Sequence, residues 1–460
     1  MSSRPTTGSP LQVILERARR VPDLDHFPGV DEIAAFFEEL TRTHPDLVTA
    51  RRIGTSRLGD PLMMYSIGDG PDQALVYAGV HPNEPIGFWT AMRLAEDLCA
   101  DPELRQDCRW NIIGCIDPDG TRLNEGWFAG PFDRVHYGAN FYRPAPAEQV
   151  EWSFPFQYKS AYFDAVMPEA FALMRVIDEL KPRIAASLHN TELGGVYYYV
   201  TRELDGFVDD LHAIAAAFDL PLDLGEPETP VARPLGPAVF EMISAKATYD
   251  YAESLGVAPY NGSGGSSAEY AARHGTVGLV AELPYWTHPA VDDQAPTDLG
   301  YGQLLAEAAD ESGKDLAALL EIFEAARPYL SDESQLVRAT AAFLPYLIDK
   351  PARERLRAAQ VPADRQATVA EVFGLRDRNR SFRLRYGGML VRAIDGEIAR
   401  GSAAAALHPL AARLQAVYGE WQREAAALEQ EISLVPIRNL VGVQYAATLA
   451  LLSAVRREAG

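Results

Sequence analysis

Cysteine is scarce in this 460-residue chain, with three residues: Cys99, Cys108 and Cys115. An odd, low number with no C-x-x-C pair excludes a disulfide framework and a cysteine-based metal site. It suits a reducing compartment. Long apolar runs are also missing. No stretch reaches the ~18 to 20 unbroken apolar residues of a membrane span. The best candidate, residues 445–455, is too short. The opening segment MSSRPTTGSPLQVILERARRVPD has no apolar stretch of the kind that marks a signal peptide. A cytoplasmic protein that does not enter membranes is the expectation. Positive charge is in short supply too: 42 Lys and Arg stand against 64 Asp and Glu, for a net charge of -22. That balance disfavours nucleic-acid binding, which needs a basic face, and anionic membrane surfaces.

What is present is ample apolar material, 47% of residues, with 23% charged. These values fit a globular protein with a large core. Arg outnumbers Lys and Ala is abundant, a compositional hint of a GC-rich bacterial genome. Residues 1–28 read as a loosely attached extension with a short helix at 11–20. Residues 30–44 are an amphipathic helix, with Ile33, Phe36, Phe37 and Leu40 at helical spacing. Apolar strands follow at 47–53, 62–67, 74–80, 110–116, 184–188, 196–200 and 276–281, with helices at 85–97, 163–180, 207–218 and 245–255 between them. Strands alternating with helices predict an α/β domain with a largely parallel sheet. Beyond residue 302 the strand signal stops. A helix at 303–328 closes the domain, and 329–460 read as a mostly helical region with an Arg-rich middle. The expected division is therefore 1–28, 29–328 and 329–460.

Ligands of open α/β sheets sit outside the carboxyl ends of the strands. Four apolar strands here end in polar, chemically capable residues: His81 with Glu84, Asp117, His189 and Glu282. Imidazole nitrogen and carboxylate oxygen both bind zinc, and a catalytic zinc site needs three such ligands and one open position. His81, Glu84 and His189 are the candidate ligands. Glu282, alone in the strand ending LVAELPYW, needs a reason to be there, because an unpaired buried charge is costly. A general base acting on water is one such reason.

The set resembles the zinc carboxypeptidases of the M14 (funnelin) family. The resemblance rests on H-x-x-E at His81 and Glu84, a single His after a short strand about a hundred residues later, and the Gly/Ser segment YNGSGGSS at 260–267 before a terminal Glu. The segment IGTSRLGDPLMMYSIG at 53–68 is also typical, and the likeness spans roughly residues 30–325. It implies an α/β/α sandwich around a mixed, largely parallel eight-stranded sheet, followed by a mostly helical C-terminal region. It further implies one Zn²⁺ per chain on His81, Glu84 and His189, with Glu282 activating water in the open fourth position. Arg122, in DPDGTRLN, matches the family's oxyanion-stabilising Arg, with Arg134 as the substitute. Arg143 matches the Arg of the Asn-Arg pair that grips the substrate's terminal carboxylate; Tyr142 stands where the Asn belongs, and Asn140 lies two residues early. Tyr260 matches the mobile tyrosine over the substrate. Ser267 matches the residue on the pocket floor, with Glu269 nearby.

The expected activity is that of a zinc metallocarboxypeptidase cleaving a peptide or amide bond. Tyr142 motivates an alternative, a zinc-dependent amidase or deacylase of N-acyl amino acids or peptidoglycan-like fragments. A catalytically silent binding protein has no need to keep Glu282, and Gly262-Ser263-Gly264-Gly265 is no serine-hydrolase elbow. The C-terminal helices are suited to packing on the catalytic domain, shaping its entrance or forming a homo-oligomer.

Overall fold

The computed structural model describes residues 9–105, 107–259 and 262–458. Its centre is a mixed sheet of nine strands: β1 (Val48–Thr55), β2 (Pro61–Ile67), β3 (Asp72–Ala78), β4 (Cys108–Ile113), β5 (Ile184–Leu188), β6 (Tyr197–Val200), β7 (Pro234–Gly236), β8 (Val239–Glu241) and β9 (Val277–Glu282). Their spatial order is β1-β2-β4-β3-β5-β9-β6-β8-β7. The four central strands β4, β3, β5 and β9 run parallel. Antiparallel pairs join β1 to β2, β2 to β4 and β9 to β6. The sheet has one strand more than the expected eight. The short edge pair β7 and β8 lies in a Pro- and Gly-rich stretch where periodicity carries no signal.

The helices that matter here are α1 (Pro10–Ala18), α2 (Val30–Thr43), α3 (Ile86–Ala100), α4 (Arg134–Asn140), α5 (Pro168–Leu180), α6 (Phe207–Ala216), α7 (Ser267–Ala272), α8 (Tyr301–Ala326), α9 (Gln335–Ile348), α10 (Val369–Ala399), α11 (Leu407–Leu428) and α12 (Ile437–Arg457). Successive strand residues point to opposite faces, so both faces of the sheet are buried by alternation. Ala74, Val76 and Ala78 of β3 face a core shared with α2, α3, α6 and α12. Leu75 and Tyr77 face a second core with α5 and α7. The sandwich follows from apolar strands that must be covered on both sides.

Two features differ from expectation. Residues 10–18 are not loose: Ile14, Leu15 and Ala18 of α1 are buried in the same core as α12. The last helix is not part of a separate C-terminal region: Leu440, Val441, Val443, Leu449 and Leu451 bury its inner side against the sheet domain. Residues 329–460 thus do not pack as one unit. α12 is a layer of the sandwich, whereas α9, α10 and α11 stack outside it. The core runs unbroken across residue 328, through Leu319, Phe323, Leu344 and Leu390. Among the described residues, no helix is long and apolar enough to cross a membrane.

Candidate metal centre

Register brings the site together. Ala78 of β3 pairs with Leu188 of β5, which pairs with Ala281 of β9. The residues just beyond these three positions therefore emerge side by side from adjacent parallel strands. They are the turn carrying His81 and Glu84, then His189, and Glu282 itself. The His81 turn is closed by the Glu84 N–H donating to the His81 carbonyl at 3.0 Å.

His81, Glu84 and His189 are all buried, with one ligand atom from each lying within 4.8 Å of the others. His189 Nδ1 is 3.0 Å from Glu84 Oε2 and 3.8 Å from Glu282 Oε1. Ser187 Oγ lies 2.9 Å from the other ring nitrogen, Nε2. This leaves Nδ1 directed at the carboxylates. His81 Nδ1 is buried with no hydrogen-bond partner. Such an orphan is costly unless something binds it, and with the adjacent His and Glu it makes a three-donor set that fits a zinc ion.

The electrostatics agree with a cation site. Burial, then the charges of Arg143 and His189, hold His81 well below the usual imidazole range, so its nitrogen is free to bind metal. Burial opposes protonation of His189, but the hydrogen bond and charge of Glu84 prevail and push it up to about 9. A field that attracts a proton this strongly also attracts a divalent cation. Burial and the Glu84 charge hold the Glu282 carboxyl well above its ordinary range.

Several further groups support the site, most of them without a readable sequence signal. Gln444 of α12 donates its Nε2 to the His189 carbonyl at 2.6 Å. The Asn190 N–H donates to Glu84 at 3.3 Å. Trp152 packs edge-on to His81, ring centres 5.6 Å apart, and the Arg143 guanidinium lies over the same indole at 5.6 Å. A polar residue inside an apolar helix, as Gln444 is, was the one hint available.

The remaining candidates divide. Arg143 reaches the cluster, donating Nη1 to Glu84 Oε1 at 3.0 Å. Arg122 does not: it lies partly exposed and ion-paired to Asp31 at 2.8 Å and to Asp60 at 3.1 Å. Arg134 is buried and paired with Asp377 of α10 at 2.7 Å. Asn140 turns its amide back onto the His136 carbonyl of its own helix at 3.0 Å. Tyr142 is fully buried, its hydroxyl without a partner. Ser267 is buried, donating its N–H and hydroxyl to Glu151 at 3.2 and 2.7 Å, and its hydroxyl is 2.8 Å from that of Tyr77. Glu269 completes a capping box with Ser266 at the start of α7. Asp117 caps a short helix by accepting the Gly120 N–H at 2.9 Å. Tyr260 lies outside the described residues.

Solved structures similar to this chain include carboxypeptidase A from Helicoverpa armigera, at 15% identity and TM-score 0.39, covering 76% of this chain and 80% of that one. A metallo-carboxypeptidase from Burkholderia cenocepacia is 16% identical, TM-score 0.34, covering 55% and 60%. Bovine thrombin-activatable fibrinolysis inhibitor is 13% identical, TM-score 0.36, covering 56% and 86%. The family model for zinc carboxypeptidase, peptidase M14, matches residues 33–285, more than half of the sequence. The match spans all four site residues, and on it the chain belongs to the zinc carboxypeptidase family of hydrolases.

Proposed function

We propose that the protein is a zinc-dependent peptidase that hydrolyses a peptide or amide bond, with His81, Glu84 and His189 holding one Zn²⁺ and Glu282 acting as general base. The observation that carries this reading is the convergence of three buried ligand atoms within 4.8 Å, with the Glu282 carboxylate 3.8 Å from one of them. Bound there, Zn²⁺ would supply Lewis-acid polarisation of the scissile carbonyl and acidify water.

The chain's own groups do the rest. Glu282 is fixed at the end of β9 and mostly shielded from solvent, which holds its proton affinity high enough to take a proton from the attacking water. The same carboxyl then returns the proton to the leaving amine. Arg143 is the cation at the site, fixed by Glu84 and by Gln149 Oε1, which accepts from its Nε at 3.1 Å. We assign to it the stabilisation of negative charge developing on the carbonyl oxygen, the role expected of Arg122, which Asp31 and Asp60 hold at the surface.

One observation favours the amidase or deacylase reading alongside. Tyr142 is sealed in the core and Asn140 is bound to its own helix, so the two-residue grip on a terminal carboxylate is not rebuilt in its usual form. Cleavage of N-blocked peptides with a free C-terminus, compared with their C-terminal amides, separates the readings. A strict carboxypeptidase leaves the amides intact, and equal cleavage of both assigns an amidase.

A further inference from the structure

The helices outside the sandwich bring positive charge to the side of the site. Arg385 of α10 donates Nη1 to Glu192 Oε1 at 2.5 Å. Glu192 is three residues beyond His189, and Tyr137 also donates to it, at 2.8 Å. The Arg385 guanidinium lies 4.9 Å from the Phe382 ring centre, and the Lys350 ammonium lies 4.6 Å from the same ring. Arg353, one turn on from Lys350, stacks over Tyr346 at 5.2 Å. Tyr386, packed on Phe141, feels the charges of both Arg385 and Arg143. Arg385 and Lys350 thus share the Phe382 ring, and Arg385 and Arg143 both act on Tyr386.

We propose that Lys350, Arg353 and Arg385 form an anion-binding subsite beside the catalytic centre, which recognises a carboxylate on the substrate; this rests on the hydrolase reading above.

Charge accounting supports it. Among the described residues, Lys350 and Arg353 have no carboxylate within ion-pair distance. Arg378 donates to the backbone carbonyls of Glu226 and Pro227 rather than to a carboxylate. Five cations, Lys350, Arg353, Arg357, Arg378 and Arg385, therefore face three nearby carboxylates: Glu192, held by Arg385, and Glu226 and Glu354, both held by Arg357 at 2.5 and 3.3 Å. Burial, then the charges of Arg378, Arg353 and Arg385 against that of Glu354, push the Lys350 ammonium down to about 8. Like charges gathered this way, in a chain of net charge -22, call for an anion between them. The aromatic rings beneath supply a flat, partly desolvated floor on which a charge-assisted hydrogen bond is strong. The grip that Tyr142 cannot provide is thereby taken over by helices the family match does not cover.

The test uses the full zinc-loaded chain and four N-blocked dipeptides: C-terminal Glu, C-terminal Gln, and the amide of each. Glu against Gln reports recognition of a side-chain carboxylate; acid against amide reports recognition of the terminal one. The peptide carrying the recognised anion should exceed its neutral counterpart in kcat/KM by about tenfold or more, the size expected of one hydrogen bond to a charged group. That ratio should fall toward one in the Lys350→Gln, Arg353→Gln double variant and persist in Lys350→Arg. If the double variant does not fold, raising NaCl from about 0.05 to about 0.5 M on the wild-type enzyme decides instead, because the charges of the partly exposed Lys350 and Arg353 are screened. A ratio unmoved by salt overturns the subsite. Equal cleavage of all four peptides also overturns it while leaving the hydrolase reading intact. No cleavage of any peptide removes the hydrolase reading, and the subsite with it.

Discussion

Two constructions meet at Glu84. One of its oxygens faces His189, at the end of a parallel strand; the other faces Arg143, on a loop. The strand side is rigid by design. β3, β5 and β9 are apolar and buried on both faces, and their register aligns the ligands without help from distant sequence. The loop side is held from outside. Arg392 of α10 donates to the carbonyls of Asn140, Phe141 and Leu123 at 2.7, 3.0 and 2.8 Å. α10 comes close enough that a Cβ on Gly388 would lie 2.1 Å from the Gly138 carbonyl. The difference shows where variation is tolerated: the metal half depends on the sheet, while the substrate half depends on whichever helices are docked against it.

The strongest way to break the comparison is Glu282→Gln. It should lower kcat by about 10² to 10⁴, the range expected on losing a general base, while zinc content measured by atomic absorption stays near that of wild type. Retained turnover would refute the assignment.

Next in size is Leu451→Ala in α12. If that helix is a layer of the sandwich, urea unfolding should show a loss of about 2 to 5 kcal/mol for this fully buried Leu. Leu356, exposed outside the sandwich, should change stability by less than about 0.5 kcal/mol when made Ala. Equal effects would mean that the two helical parts are not different in kind.

Arg392→Ala should act between these limits. It strips a charged donor from three partly buried carbonyls, for a cost of about 1 to 3 kcal/mol. Because those carbonyls frame Arg143, kcat/KM should fall by more than the zinc content does. A variant that loses stability with unaltered kinetics would show that α10 braces the fold and not the substrate loop.

A pH-dependent effect concerns Asp117, whose carboxyl burial pushes up to about 7. Its ordinary value is 3.8, so the folded state resists ionisation. The penalty is absent below about pH 4, grows as pH rises, and is complete above about pH 7. Asp117→Asn keeps an oxygen for the Gly120 N–H and removes the charge. Its melting temperature should gain on wild type at pH 8 and match it at pH 4; the reverse trend would contradict the burial argument.

The strand half was open to reading from residues alone. Apolar runs that stop at His81, Asp117, His189 and Glu282 announce both the sheet and its chemistry, because strand ends of parallel sheets are where side chains converge. The loop half was not. Arg122 and Arg143 look alike in sequence; what separates them is that Asp31 and Asp60 hold the first at the surface, while Glu84 and Trp152 hold the second at the metal centre. Arg134 is likewise set apart from an oxyanion role only by Asp377, 243 residues later, to which it donates. The carbonyl bond from Gln444 and the grouping of Lys350, Arg353 and Arg385 depend on contacts of the same long range. Such contacts leave no period in the sequence to find. The N-terminal helix was read as loose for the same reason: its apolar face is short, and its partner lies at the other end of the chain.

The measurement that bears most directly on the central claim is metal analysis of the purified chain, paired with peptide hydrolysis before and after chelation. The account predicts close to one zinc per chain, loss of activity on chelation, and recovery on adding Zn²⁺ back. Absence of zinc together with full turnover after chelation would contradict it.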